Sequence, residues 1–200
     1  MPEQELKRIL IADDELLVIE GTARSLRELG YEVIGPVPDG EQAIETCRDE
    51  RPDMALLDIQ MPRMSGLDAA KIIFSELGIP VVIISAYSDP EYAKTSARIG
   101  VFGYLVKPIN EQDLRVTLSV AWGQFLSHHE SNDQITKLTQ RLEDRKTIER
   151  AKWVLVEHIG ITEQDAMQRL QKQARDNRRT LVDVARGILE NHELFTGQSR

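Results

Sequence analysis

Through the first 126 residues, short apolar runs alternate with longer stretches of mixed polarity. The runs at residues 9–12, 32–34, 54–57, 81–84 and 103–106 are rich in β-branched side chains and read as strands. Their near-continuous apolar character predicts a parallel sheet buried on both faces. The segments between them have helix length and carry punctuation. Gly30, Gly78 and Gly100 follow helical runs as C-terminal caps, while Asp39, Asp89 and Asn110 precede helices as N-caps. Pro90 fits a first helical position. Five strands, four crossover helices and a closing fifth helix predict a doubly wound α/β domain.

Between Glu111 and His158 there is no proline, and the single glycine is Gly123. Apolar or small residues at 114, 118, 121 and 125 alternate spacings of four and three, the seam of a coiled coil. His128 and Asn132 dilute the seam, which returns through Ile135, Leu138 and Leu142. The pattern predicts a long helix, broken near 127–132, that joins two modules and pairs with a second chain; a solvated linker helix is the alternative. Three helical segments follow. The first ends before Gly160; Thr162 caps the second, with Asp165 completing an approximate capping box. The polar run 175–180 separates a third, whose Leu181, Val184, Ala185, Ile188 and Leu189 form an apolar stripe. The expected organisation is an α/β domain at 1–126, a helical, coiled-coil linker at 127–141 and a small all-α three-helix domain at 142–195, with a frayed end beyond.

Composition narrows the function classes. The 200 residues are 41% hydrophobic and 29% charged, an ordinary globular mixture. Aromatics at 5% argue against extensive base stacking or an aromatic-lined pocket as the main business. A single cysteine forms no internal disulfide, so nothing requires an oxidising compartment. The N-terminal run is too short and too acidic for a signal peptide, and no stretch reaches the roughly 20 apolar residues of a membrane span. A cytoplasmic protein with no membrane association is expected. The formal charge of −8 divides unevenly: −9 over residues 1–125, −1 over 126–140 and +2 over 141–200. An acidic front and a mildly basic tail predict different partners for the two modules.

Candidate chemistry gathers at strand ends. The first strand ends in Asp13-Asp14-Glu15 and the third in Asp58. In the flavodoxin-like order 2-1-3-4-5 those strands are neighbours at the point where the order reverses, where ligands collect. Carboxylates of Asp13, Asp14 and Asp58 sharing one crevice would repel unless a cation compensates. A hard, oxygen-preferring ion such as Mg²⁺ suits them. The fourth strand brings Ser85 and the fifth Lys107-Pro108 to the same rim. Acids, metal, hydroxyl and ammonium together describe phosphoryl transfer to a carboxylate.

The stretches ADDE, ALLDIQMPRMSGLD, IISAYSD and GYLVKPI resemble the receiver domain of two-component response regulators over about residues 7–126. The resemblance implies Asp58 as acceptor of a phosphoryl group from a sensor histidine kinase. It implies magnesium held by Asp13, Asp14, Asp58 and the backbone carbonyl of Gln60. Lys107 would contact the phosphoryl group, Ser85 would donate to it, and the Lys107–Pro108 peptide would be cis. Met61-Pro62 and Ser65-Gly66 would shape the loop after Asp58. A Ser85 hydroxyl drawn inward would open space for Tyr104, the serine–aromatic coupling of the family. Dehalogenase-type phosphatases share a strand-end aspartate nucleophile but resemble one another in a second Asp two residues on. That position is Gln60, so turnover of outside substrates is not expected and the chain reads as a non-enzyme.

The tail from Leu138 onward resembles the ANTAR domain of RNA-binding antitermination regulators. Leu142, Arg145, Ile148, Ala151-Lys152, Leu155, Ala166, Leu170, Leu181, Asp183-Val184-Ala185 and Ile188 carry the resemblance, and Trp153 departs from it where the family favours glycine. It implies binding of RNA stem-loops by a homodimer, and transcription antitermination as the outcome. Arg145 and Lys152 lie on one helical face with Glu149 between them, Lys146 and Arg150 on a neighbouring one. Arg175, Arg178 and Arg179 form a second basic cluster. Guanidinium groups pair bidentately with phosphates, and Arg145, Lys146, Lys152, Arg175, Arg178 and Arg179 are the expected RNA contacts. Two alternatives are a DNA-binding output and a protein-binding adaptor. The third tail helix has Arg186 against Asp183, Glu190 and Glu193, which disfavours DNA. Cys47, Trp122 and Trp153 read as packing, and His128-His129 lack metal-ligand spacing.

Overall fold

The protein is described here by a computed structural model covering residues 5–86 and 100–196. Its elements run β1 (Arg8–Ala12), α1 (Leu16–Glu28), β2 (Glu32–Val37), α2 (Gly40–Glu50), β3 (Met54–Asp58) and α3 (Gly66–Ile72). The chain leaves α3 through a π-helical turn (Ile73–Leu77) into β4 (Val81–Ser85), then β5 (Val101–Val106). Three helices complete it: α4 (Glu111–Ile159), α5 (Glu163–Asp176) and α6 (Leu181–Thr196). The fourth crossover, with Asp89 and Pro90, lies outside the described residues. All four strand pairings are parallel and the order is β2-β1-β3-β4-β5, the flavodoxin-like arrangement expected from the apolar runs.

Alternation along the strands sends side chains to two cores. Ile9, Ile11, Leu56, Val82, Ile84 and Leu105 pack with residues of α1 and α4. Leu10, Ala55, Leu57, Val81 and Ile83 pack with residues of α2 and α3. Both faces are therefore covered, and each fully buried Leu or Ile contributes about 1.5–3 kcal/mol. Side chains fix the helix starts. Asp39 accepts a hydrogen bond from the Gln42 amide at 3.0 Å, and Asn110 from the Asp113 amide at 2.8 Å. Ser65 does the same for α3, accepting from the Asp68 amide.

β2 runs three residues beyond the expected 32–34. The pairing with β1 shifts register between Leu10 and Ala12, so Val37 pairs with Ala12 past Gly35-Pro36. Pro36 thus sits at an irregularity, where a missing amide costs no ladder bond.

The long helix corrects two expectations. It does not break near 127–132, because that stretch holds neither proline nor glycine and its polar residues are compatible with helix. Nor is the spacing of 114, 118 and 121 an intermolecular seam: Leu114, Leu118 and Ala121 are fully buried against the chain's own sheet. Gly103 on β5 permits that closeness, since a Cβ there would lie 2.9 Å from Thr117 Cγ2 and 3.3 Å from Ala121 Cβ. His128, which interrupts the seam, has its ring 6.0 Å from that of Phe74 and 5.8 Å from that of Phe102. Only Ile135, Leu138 and Leu142 remain as an outward stripe, exposed by 60%, 57% and 60%.

The chain forms two compact units, one up to His129 and one from Glu130. In the second, Leu155, Ala166, Leu170, Ala174 and Val184 form a small core flanked by Ile148, Leu181 and Ile188. Trp153 does not join it. The indole is 62% exposed, contrary to the packing role expected, because the buried stripe of α4 passes through Ala151, Val154 and Leu155 instead. Trp122 does pack, against the α1/α4 side of the sheet. Among the described residues no helix is long and apolar enough to cross a membrane.

Candidate functional site

At the carboxyl ends of β1 and β3 the chain leaves the sheet from adjacent positions, and the acids that end these strands meet. Ligand oxygens of Asp13, Asp14 and Asp58 all lie within 4.8 Å of one another. Asp13 and Asp58 are buried and Asp14 is exposed. β5 delivers Lys107 between them: its Nζ is 2.9 Å from Asp13 Oδ2 and 2.9 Å from Asp58 Oδ1. It also reaches Glu15 Oε1 at 3.0 Å. The other oxygen of Asp58 accepts from the Gln60 amide at 2.7 Å, and Asp13 Oδ1 accepts from the Glu15 amide at 2.9 Å. The Lys107–Pro108 peptide is cis.

Charge at the site is balanced by opposing effects. Burial raises the Asp58 carboxyl above its ordinary value and Asp13 adds to that, while Lys107 and the Gln60 amide pull it down without overcoming burial. Burial alone would lower Lys107, but hydrogen bonds to Asp58, Asp13 and Glu15 outweigh it and hold the ammonium above its ordinary range. One cation therefore faces three carboxylates of the site and Glu15, which leaves the cluster net negative and suited to a further cation.

Ser85 ends β4 beside Lys107, whose amide donates to the Ser85 carbonyl at 2.8 Å. Tyr104 pairs in register with Ile83, two residues before Ser85 on β4, so alternation puts both on the α2/α3 face. Its half-buried ring packs against the core of that face. The loop after Asp58 is drawn in tightly: the Gly66 amide donates to the Ile59 carbonyl at 3.0 Å, and a Cβ on Gly66 would collide with the backbone of Asp58.

The basic residues of the tail divide by environment. Arg145 and Lys146 are exposed on α4, Lys146 pairing with Glu143 at 2.8 Å. Lys152 is different. Its side chain is only 14% exposed, with Nζ 2.9 Å from Glu149 and 3.6 Å from Glu163, and the hydrogen bond to Glu149 raises its pKa. Arg175 closes α5; Arg178 and Arg179 follow it, exposed, with Arg178 at φ 52°.

Comparison with known proteins accounts for both halves. Residues 9–119 match the response regulator receiver domain and residues 136–189 the ANTAR domain. The chain belongs to the response regulators. This regulator is 38% identical over 184 residues to the transcriptional regulatory protein PdtaR of Mycobacterium tuberculosis (strain ATCC 25618 / H37Rv), covering 92% of this chain and 90% of that one. It is 34% identical over 110 residues to the DNA-binding response regulator MtrA of Mycobacterium leprae, covering 54% of this chain and 48% of MtrA. Among solved structures, the signal receiver domain of a modulated diguanylate cyclase from Desulfovibrio desulfuricans G20 superposes with TM-score 0.56 at 30% identity, covering 62% of this chain and 99% of that one. A CheY-like receiver from Methanospirillum hungatei JF-1 gives 0.55 at 26% identity, over 62% and 99%.

Sequence reasoning missed two parts of the regulator's site. Glu15 was visible as a third acid, but its hold on Lys107 depends on the reach of a side chain from another strand. A helix wheel of α4 alone shows Lys152 on the surface, yet its side chain is 14% exposed, with Glu149 at 2.9 Å and Glu163 of α5 at 3.6 Å.

Proposed function

We propose that Asp58 accepts a phosphoryl group from the phosphohistidine of a sensor histidine kinase, and that this controls RNA binding by the ANTAR tail. The observation that carries the reading is the Lys107 ammonium held against both Asp13 and Asp58 at the switch point of the sheet. An Asp58 oxygen attacks phosphorus; the O–P bond forms as the P–N bond breaks, and the leaving imidazole nitrogen keeps the electron pair. The Gln60 amide orients the carboxylate, and Lys107 moves its contact to the phosphoryl oxygens. The all-oxygen donor set of Asp13, Asp14, Asp58 and the Gln60 carbonyl fits Mg²⁺, which when bound neutralises charge on the carboxylates and the phosphoryl group. Ser85 then donates to the new oxygens and Tyr104 follows into the space behind it, a bias of about 1–3 kcal/mol. With Gln60 where a proton donor would stand, the receiver acts on itself and not on outside substrates.

For the output, exposed Arg145, Lys146, Arg175, Arg178 and Arg179 contact RNA phosphates, whereas Lys152 stays with its glutamates. The stripe of Ile135, Leu138 and Leu142 pairs two copies, and the dimer regulates antitermination at leader hairpins in the cytoplasm. A DNA-binding or adaptor output is the second reading; the match to DNA-binding MtrA extends over 110 residues, 54% of this chain, whereas residues 136–189 match the ANTAR domain, which favours RNA.

Two experiments test this. Asp58→Ala is expected to fold and take no label from a radioactive small phosphodonor; labelling at the wild-type level overturns the acceptor assignment. Selection from random RNA and DNA pools, with and without beryllofluoride, is expected to enrich stem-loop RNA. Enrichment of DNA, or of neither, overturns the output.

A further inference from the structure

An indole in water beside charged side chains is the one large aromatic surface that the second unit leaves uncovered among the described residues. Trp153 lines a surface pocket of about 340 Å³ with Glu149, Arg150, Lys152, Val156 and Glu163. We infer that this pocket takes one unstacked nucleobase from the loop of a bound RNA, stacked on the Trp153 ring. The inference rests on the RNA-binding reading above and names the part of the RNA that this surface recognises.

Three features select that occupant. The first is charge: two carboxylates and two cations line the pocket, so their formal charges cancel and a phosphate gains nothing there, whereas a neutral base loses nothing. The second is hydrogen bonding. Glu149 and Glu163 offer acceptor oxygens around Lys152. Exocyclic amino groups of adenine, cytosine and guanine donate to such oxygens, as carboxylates accept from cytosine N4 elsewhere; uracil has no amino group to give. The third is what lies beside the pocket. Lys146, Arg150 and Trp153 follow at spacings of four and three, which places them along one face of α4. A backbone held by Lys146, outside the pocket, therefore arrives at the indole with its base free to turn in, the geometry by which single-stranded loops are read. The apolar stripe of Ile135, Leu138 and Leu142 does not extend to Trp153, because Glu149 stands between them on the same side of the helix, so the indole is not a continuation of the dimer seam.

The test uses the full chain carrying Trp122→Phe, which leaves Trp153 as the sole indole, and a pool of short RNA hairpins of one stem with randomised loops. Bound RNA is expected to quench the indole fluorescence. Trp153→Ala is expected to weaken retention of the pool by about 10- to 100-fold, the range for loss of one stacked base, and Trp153→Phe to recover part of it. Loops of uridine alone are expected to bind less tightly than loops of adenosine or cytidine. Retention without quenching, and equal in Trp153→Ala, overturns the base site while leaving RNA binding intact. No retention by either protein overturns both. A Trp153→Ala chain that changes its sedimentation as a dimer but not its RNA affinity makes the indole a protein contact and overturns the inference.

Discussion

Lys107 and Asp58 are joined across the sheet at 2.9 Å, and the same ammonium lies 2.9 Å from Asp13. One largely covered cation thus bridges two buried carboxylates and offsets half of their charge. Lys107→Met would keep the stem and remove the charge, leaving the acids to face each other. The expected loss is about 3 kcal/mol of stability, the scale for breaking a buried pair. Urea unfolding in EDTA measures it, and added Mg²⁺ should restore most of it, since the ion supplies the missing charge. An unchanged midpoint in EDTA would mean the bridge is energetically idle.

Asp58 should cost the fold stability whenever it is ionised. Its folded pKa is raised by burial, so its contribution is favourable below the ordinary carboxyl value of 3.8 and is lost as pH rises through the folded value. Asp58→Asn is therefore expected to melt at a higher temperature than the wild type at pH 7 without Mg²⁺. The gap should close as pH falls through the carboxylate range. Thermal melts across pH decide this, and a variant less stable than wild type at pH 7 would reverse the sign assigned to burial.

Gly66 carries no side chain because the Asp58 backbone occupies the space where a Cβ would go. Gly66→Ala should push the β3 end outward and slacken the hold of Lys107 on Asp58. Loss of phosphodonor labelling by more than about tenfold, with the overall fold retained by circular dichroism, is the expected pair of results. Normal labelling would show that the loop has slack.

Cys47 sits buried in α2, and burial pushes its thiol up to about 12. At pH 8 it is protonated and shielded, so iodoacetamide should leave it unmodified for hours in native buffer and alkylate it quickly in denaturant. Mass spectrometry reads the difference directly.

Thr180 caps α6, accepting from the Asp183 amide at 3.2 Å and donating to the Asp183 carboxylate at 2.6 Å. Thr180→Ala should cost about 1 kcal/mol, seen in the melting of the tail. The bond from Thr180 holds the Asp183 carboxyl below its ordinary value, so this contribution is present at neutral pH and fades as acid protonates the group.

Positions of chemistry were legible in the sequence where they depend on local pattern. Apolar runs mark the strand ends, and so the places of Asp13, Asp58, Ser85 and Lys107; the T-x-x-D spacing at Thr162 marks the start of α5. What escaped depends on contacts between distant segments. β2 continues past Gly35-Pro36 by carrying one extra residue, three steps from Ile34 to Val37 facing two from Leu10 to Ala12 on β1. The seam through Leu114, Leu118 and Ala121 has the period of a coiled coil whether its partner is a second helix or a sheet, and the period alone does not tell them apart. Lys152 and Trp153 are neighbours on one helix, yet the amphipathic lysine is the covered one, 14% exposed against 62% for the indole, which the apolarity of the side chains alone would reverse.

Gly103 lies within β5, and Lys107 is the residue directly after its last, Val106. At Gly103 the strand lies close to Thr117 and Ala121 without an intervening side chain, and just past its end Lys107 grips the acids. An anion that drew on Lys107 would pull on a strand whose neighbouring contact with α4 has no side chain to yield, and enlarging Gly103 would insert a cushion at that joint.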